Sequence, residues 1–539
     1  MLRMKFHYLL TLALALPSMA QTVADNSKPA APAPAAAGAS ADASAVTAPL
    51  ASAHALLKKR QFTEAAAAFR VILEKAPTSA EAHVGLVRSL LREQHLDEAR
   101  EAATKAVAAA PSFAIVHAAS GDVAFREGRF ADSESEYRTA MKLDPNCARA
   151  QFGMARMYEM VSLNKRARDA YIKAHQLDPQ DEEITEKWLE SLSYTDALEA
   201  VKKSAGDHPD KEDASRIAFL SAVAQKKPWV LASELKPTEL KILPYGRELT
   251  GVYDINRDGP VTISKGYGLQ VKFNDRASAV LLLDTGAGGI TIGRKLAEKA
   301  GAVKIADTRI GGIGDQGPVS SYVAWVDKIT IGNVEFHNCT VVVSSKTSVA
   351  DEAGLIGPDV FEKFLITLDF REQRVLLSPL PKNPNPTDDE RFQDRYIAPE
   401  MQSYTKFYAF GHDILVPVVA NDKAVGNFIL DTGADLNTLS PKFAAQVTKA
   451  SADGDYVMQG VSGKVGNVLT GKKAIFQFAK MRIESHDLPV FAIDHISASE
   501  GTEIAGFIGI RTLVQMKMTI DYRDGLVNLE VYEFRKARE

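Results

Sequence analysis

A chain of 539 residues is too long for one ordinary hydrophobic core, so several domains are expected. Its 64 basic and 68 acidic residues leave a formal charge of -4, which excludes the broad positive surface that a nucleic-acid partner would need. The two cysteines, Cys147 and Cys339, fall in different expected domains and supply no disulfide framework.

The first residues read as a secretory signal, with Arg3 and Lys5 ahead of an apolar run from about Tyr8 to Leu16 and a small-residue ending, Ser18-Met19-Ala20, after which cleavage is expected. That run is too short to span a bilayer, no cysteine follows it, and no later stretch is long and apolar enough to be a transmembrane segment. An exported protein, periplasmic or secreted, is the expectation. Residues 21–49 are dominated by Ala, Pro and Ser and lack the large apolar side chains that offset ordering entropy, which predicts a disordered linker.

From about residue 50 a period of 34 residues sets in, marked by Pro77, Pro111, Pro145 and Pro179. Ahead of each proline, Ala65, Ala99, Ser133 and Ala167 form one register, Phe69, Ala103, Tyr137 and Tyr171 a second, and Ile72, Ala106, Ala140 and Ala174 a third. These positions share one helical face, and each proline would end its helix. Residues 48–182 resemble four tetratricopeptide repeats, although the usual Trp is absent from every repeat. The resemblance implies a superhelix whose groove takes a protein or peptide partner, with residues 183–205 as a cap; a spacer or dimerising module is the alternative.

Past residue 206 the periodicity changes to two, as in Leu269, Val271 and Phe273. Residues 322–331 and 334–344 flank Gly332-Asn333 and read as a tight hairpin. The β-rich part is a duplication. Asp284-Thr285-Gly286 recurs 147 residues on as Asp431-Thr432-Gly433, each behind an apolar run. Gly354-Leu355-Ile356-Gly357 recurs 152 residues on as Gly506-Phe507-Ile508-Gly509, and Thr367-Leu368-Asp369-Phe370 as Thr519-Ile520-Asp521-Tyr522 at the same spacing. Glycine-rich tips, Gly311-Gly312-Ile313-Gly314-Asp315 and Gly460-Val461-Ser462-Gly463, lie between them.

These motifs resemble aspartic peptidases, more the retroviral type than the pepsin type, over about residues 246–380 and 406–535. The resemblance implies two all-β retropepsin-like (acid protease barrel) lobes forming a bilobal pseudo-dimer on one chain, after the all-α superhelix. The expected division is signal 1–20, linker 21–49, repeats 50–205, connector 206–245, first lobe 246–380, inter-lobe linker 381–405 and second lobe 406–539.

The resemblance also implies the chemistry. Asp284 and Asp431 would share a proton, since two adjacent carboxylates cannot both ionise cheaply, and would activate a water for peptide hydrolysis without a covalent intermediate. Which is base and which acid stays open at this level. Thr285 and Thr432 would lock the turns together, while Gly286 and Gly433 admit the carboxylates. Substrate would lie as an extended strand against Asp435 and beneath tips at Gly312, Ile313, Gly314, Gly460 and Val461. Ala287 and Ala434 stand where pepsin-like enzymes often carry a hydroxyl, so a mildly acidic optimum is expected. Gly288 faces Asp435 across the duplication, which makes the cleft unequal.

No cofactor or metal is called for. Asp254, Asn256, Asp258 and Gly259 begin like a calcium loop, but Lys265 stands where its closing carboxylate belongs, and Pro260 follows the glycine. The pairs His412-Asp413 and His486-Asp487 read as loop or surface groups. Two alternatives to a peptidase that works as one chain remain: a peptide-binding scaffold that does not cut, and a protease active only as a homodimer.

Overall fold

The structure is a computed structural model that describes residues 42–206, 209–254, 259–344, 353–387, 390–452 and 458–532. The expected signal, most of the linker and the centre of the calcium-like loop lie outside these residues. The expected linker ends early, because the first helix is Asp42–Lys58 and runs through Pro49. Its second half explains this: Leu50 and Ala53 are buried against Phe69 and Ile72, and that packing fixes the helix across the proline.

Seven further helices, from Phe62–Lys75 to Asn164–Leu177, complete four antiparallel pairs. The second helices end at Lys75, Ala109, Leu143 and Leu177, each two residues before one of the periodic prolines. All twelve residues of the three registers are buried. Helices Ala80–Arg92, Ala114–Arg126 and Ala148–Met160 pack on one another as the inner layer. Within it Asp122 is buried and accepts from Tyr137 Oη (2.7 Å), Arg149 Nε (2.5 Å) and Arg156 Nη2 (2.6 Å). Arg88 Nη2 also reaches Asp181 Oδ2 at 2.7 Å, 93 residues away, so ion pairs tie the first helices to the cap helix Glu182–Glu190.

The expected connector is largely structured. Helix Lys211–Gln225 is capped by Asp210, whose Oδ1 accepts from Glu212 N (2.8 Å) and Asp213 N (2.9 Å). Its Phe219, Leu220 and Val223 join Ala197 and Val201 of Tyr194–Ala205, and together they cover Ala306 and Val323 on the first lobe's long hairpin. Apolar faces on both sides of this segment leave it no slack.

Each lobe repeats one arrangement. Strand Ala277–Leu283 runs parallel to Gly354–Ile356, and Ala424–Leu430 parallel to Gly506–Ile508. The expected hairpin forms as Val319–Ile331 and Val334–Ser344. Between the lobes, hairpin 364–379 of the first pairs with hairpin 516–531 of the second through Phe364–Asp369 and Met516–Asp521. Thr367 is opposite Thr519 there, their hydroxyls 3.0 Å apart, so the duplicated motif pairs with itself. One hydrophobic core runs through both lobes, from Leu281 and Phe361 to Phe428 and Leu513.

The repeats dock on the second lobe by their helix turns. Thr502 Oγ1 donates to Phe125 O (2.9 Å), Glu503 N to Arg126 O (2.9 Å) and Asn427 Nδ2 to Gly128 O (3.2 Å). Arg395 N donates to Ser162 O at 2.8 Å. Above these bonds the ring of Phe130 meets Tyr408 edge-on at 4.7 Å and stacks with Phe410 at 6.1 Å. Replacing Phe130 by Ala should lower the unfolding free energy by about 3 kcal/mol. Adding Phe410→Ala should cost less than it does alone, because the two rings share one contact. Urea unfolding of the two single variants and the double variant checks this; strict additivity would mean the rings do not share the interface.

Candidate active site

The two Asp-Thr-Gly turns meet at the base of the cleft, each placed by the strand pair of its lobe. Asp284 N donates to Ile356 O and Asp431 N to Ile508 O, both at 3.0 Å. The threonines then exchange bonds across the lobes. Thr285 Oγ1 donates to Leu430 O (2.7 Å) and accepts from Thr432 N (2.9 Å), while Thr432 Oγ1 donates to Leu283 O (2.9 Å) and accepts from Thr285 N (3.0 Å). Both side chains are fully enclosed. The glycines serve the opposite carboxyl: a Cβ on Gly433 would lie 2.5 Å from Asp284 Cγ, and one on Gly286 would lie 2.9 Å from Asp431 Cγ.

The carboxyl groups are not equivalent. Asp431 Oδ1 accepts from Gly433 N (2.8 Å) and Ala434 N (3.0 Å), whereas Asp284 Oδ1 accepts only from Gly286 N (2.8 Å). Burial raises both above the ordinary carboxyl value. Asp284 is held well above it by burial, by the charge of Asp431 and by the hydrogen bond it shares with Asp431, and that bond acts in the opposite direction on Asp431. The extra backbone donor to Asp431 favours the charged form there, and the two carboxyls titrate as a pair.

Two further acids and a histidine stand beside the pair. Asp359, at the start of the short helix Pro358–Phe361, accepts Gly289 N with both oxygens at 2.9 Å. Asp413 is buried, its Oδ1 has no hydrogen-bond partner, and burial with Asp431 and Asp359 holds it well above the usual carboxyl range. His412 donates from Nε2 to Gly286 O at 3.2 Å and lies 3.4 Å from Asp413 Oδ1. Of the expectation that His412-Asp413 are loop or surface groups, the hairpin turn at His412 agrees with the loop, while the burial of Asp413 corrects the surface. Its hairpin, Tyr408–Phe410 with Asp413–Ala420, is pushed into the first lobe from the side on which the repeats pack. The pair His486-Asp487 stays on an exposed strand, with His486 Nε2 bonded to Glu484.

Above the dyad the two glycine-rich tips are joined. Ser462 N donates to Ile313 O (2.9 Å), Gln316 N to Ser462 O (2.9 Å) and Asp315 N to Lys464 O (3.1 Å). Asp315 Oδ2 accepts Gly466 N at 2.6 Å, and His495 Nε2 donates to Gly312 O at 3.0 Å. Gly460 lies directly under Ile313 O, where a Cβ would approach to 2.5 Å, and Val461 borders Gly312. Gly314 has φ +127°, which an L side chain rarely adopts, and it packs on the Ser462 backbone.

Residues 269–360 and 416–512 match the family model described as aspartyl protease. Each of the two lobes is thus similar to that family. Residues 56–122 and 119–182 match tetratricopeptide repeat models. No curated protein matched the chain. Among solved structures, the repeat part is similar to a thermophilic TPR protein of Thermus thermophilus, with 20% identity, 32% of this chain and 97% of that one covered, and a TM-score of 0.28. It is also similar to Pseudomonas aeruginosa PilF, with 18% identity, 35% and 88% covered, and a TM-score of 0.27.

The protease lobes differ most where the turn meets the next helix. Asp435 is clamped by Arg511, Nε to Oδ1 at 2.9 Å and Nη2 to Oδ2 at 2.8 Å, and stays part-exposed toward the cleft. In the first lobe the corresponding positions are Gly288 and Asp359. An Asp-Arg pair on one side is replaced by Gly-Asp on the other, so the sequence comparison of Gly357-Pro358-Asp359 with Gly509-Ile510-Arg511 could have revealed this reversal of charge.

Because Asp284 and Asp413 keep their protons well above the ordinary carboxyl value, the unfolded chain releases these protons first as pH rises. Their contribution to stability is therefore present in acid and is lost as pH climbs toward neutrality through the folded values. Asp413→Asn should raise Tm at pH 7 by about 2–4 °C and change it little at pH 4, as calorimetry at the two pH values would show. An unchanged Tm at pH 7 would contradict the buried, unpartnered state of Asp413.

Proposed function

We propose that this protein is an aspartic endopeptidase that hydrolyses peptide bonds with a water activated between Asp284 and Asp431. The observation that carries the reading is the pair of carboxyl groups on turns cross-bonded by their threonines, unequal in hydrogen bonding and covered by two joined tips. Asp431, with two backbone N–H donors, is the base that takes a proton from the water. Asp284, protonated, donates to the scissile carbonyl oxygen, and the resulting tetrahedral centre collapses with proton return to the leaving amine. No covalent intermediate is required.

An extended polypeptide would enter once the tips part, then bond through its main chain to Gly312, Ile313 and Gly314 on one side and Gly460 and Val461 on the other. Asp435, held by Arg511, would contact substrate backbone in the second lobe only. The repeats would present a polypeptide substrate or a protein partner. Export to the periplasm or beyond is part of the proposal and rests on the leading basic and apolar residues. Among the described residues no helix is long and apolar enough to cross a membrane.

Both lobes of one chain bring the two carboxyls together, which supports the one-chain reading over the homodimer reading. A peptide-binding scaffold that does not cut is separated by experiment. Incubation of the mature protein with a mixed peptide library across pH should give cleavage, and Asp284→Asn and Asp431→Asn should each lower kcat/KM by about 1,000-fold. Since both carboxyls lie above their ordinary value, both limbs of the pH profile should fall above about pH 4. A peak below about pH 3, or full activity in either Asn variant, would defeat the shared dyad.

A further inference from the structure

His412 occupies an unusual place for a hairpin-tip histidine. It belongs to the second lobe, between strands Tyr408–Phe410 and Asp413–Ala420, yet its Nε2–H donates to Gly286 O in the first lobe's Asp-Thr-Gly turn at 3.2 Å. Gly288 makes room for the ring, since a Cβ there would lie 2.7 Å from His412 Nδ1. The charged and titratable groups around it come from several elements. Asp431 faces it from the second turn, Asp359 from the short helix Pro358–Phe361, Asp413 from its own strand at 3.4 Å, and Glu500 from helix Asp494–Glu500. Asp284 and the part-buried Tyr522 complete the cluster, and Lys187 of the repeat domain acts on Glu500 from outside.

We propose that His412 is a positioning residue of the dyad, fixing the first lobe's turn through Gly286 O and, when protonated, placing a positive charge beside Asp431 that favours its carboxylate form. Five acids crowded in a poorly solvated pocket would otherwise each favour protonation, leaving no base. A cationic imidazole favours the carboxylate forms of Asp431, Asp359 and Glu500. Its perch is firm, because Tyr408 and Phe410 on the same hairpin pack on Phe130 and Phe125. This inference rests on the dyad reading above.

The test compares wild type with His412→Gln, His412→Lys and Gly288→Ala. Gln keeps an N–H for Gly286 O but carries no charge, so it should lower kcat about tenfold with KM nearly unchanged and move the acid limb of kcat/KM up by about one pH unit. Lys should return that limb toward the wild-type position. Gly288→Ala displaces the ring without removing it, at a position with ordinary backbone geometry, and should move the limb in the same direction as Gln. Superposed acid limbs for wild type, Gln and Gly288→Ala would overturn the proposal, whatever the loss in kcat.

A second reading needs no activity. Between pH 4 and 6 the Tm gap between wild type and His412→Gln should widen as the carboxyls ionise, and a constant gap would count against the proposal. A wild type that cuts nothing while the gap widens would defeat the peptidase reading and leave the electrostatic role of His412 standing. Inactive Asn variants of the dyad, together with an unmoved limb and a constant gap, would defeat the role of His412 alone.

Discussion

The exchange of hydrogen bonds between Thr285 and Thr432 is the constraint on which the rest of the site depends. Each hydroxyl satisfies one backbone N–H and one carbonyl of the opposite lobe, in a place where water has no access. Buried backbone groups left without partners there would cost about 1–3 kcal/mol each. The lobes are therefore held in one register at the point where their carboxyl groups must lie close together. The unfavourable burial of those acids is tolerated because the main-chain geometry around them is already satisfied.

The bilobal architecture was legible because the duplication repeats whole motifs at nearly constant spacing, and two of the three motifs pair with their own copies. Thr367 opposite Thr519 and the threonine exchange are both self-pairings of duplicated residues. The repeats were legible for a covalent reason: a proline lacks the N–H that a helix interior uses, so four of them at a fixed interval behind matched apolar registers mark four helix ends. The helix Lys211–Gln225 was missed because its cap and apolar face have no counterpart elsewhere in the chain and its partner, the hairpin with Ala306 and Val323, lies about 80–110 residues on. His412-Asp413 was misread for a related reason. The positions 147 residues earlier are Lys265-Gly266, so the duplication gives no hint of it, and only tertiary packing shows where the hairpin points.

Carrying both lobes on one chain frees them to differ, and several of the differences fall beside the dyad. The second lobe keeps Asp435 tied to Arg511, and the first has Gly288 and Asp359 instead. The absence of a side chain at Gly288 is what admits the imidazole of His412, so the loss of an acid in one lobe and the arrival of a base from the other are two aspects of one steric arrangement. Unequal donors to Asp284 and Asp431 follow the same logic. A symmetric dimer of identical lobes would have to break its symmetry on binding substrate, whereas this chain has it broken already.

The repeat domain also has a mechanical position that a tether would not have. Its last helices cover Ala306 and Val323 at the base of the hairpin that carries Gly312 and Gly314. Its middle turns hold the second lobe through Phe125, Arg126 and Gly128, and Phe130 grips the hairpin that carries His412. One rigid stack of helices thus touches both lobes, and it does so on elements that lead directly to the tips and to the dyad. Opening the cleft requires either that the tips part while the bases of their hairpins stay fixed, or that the helical stack flexes with the lobes. Helices pinned to one another by buried ion pairs such as Arg149 with Asp122 resist the second course, so parting of the glycine-rich tips, joined by main-chain bonds at Ile313, Gln316 and Ser462 and by the side chains of Asp315 and His495, is the softer motion.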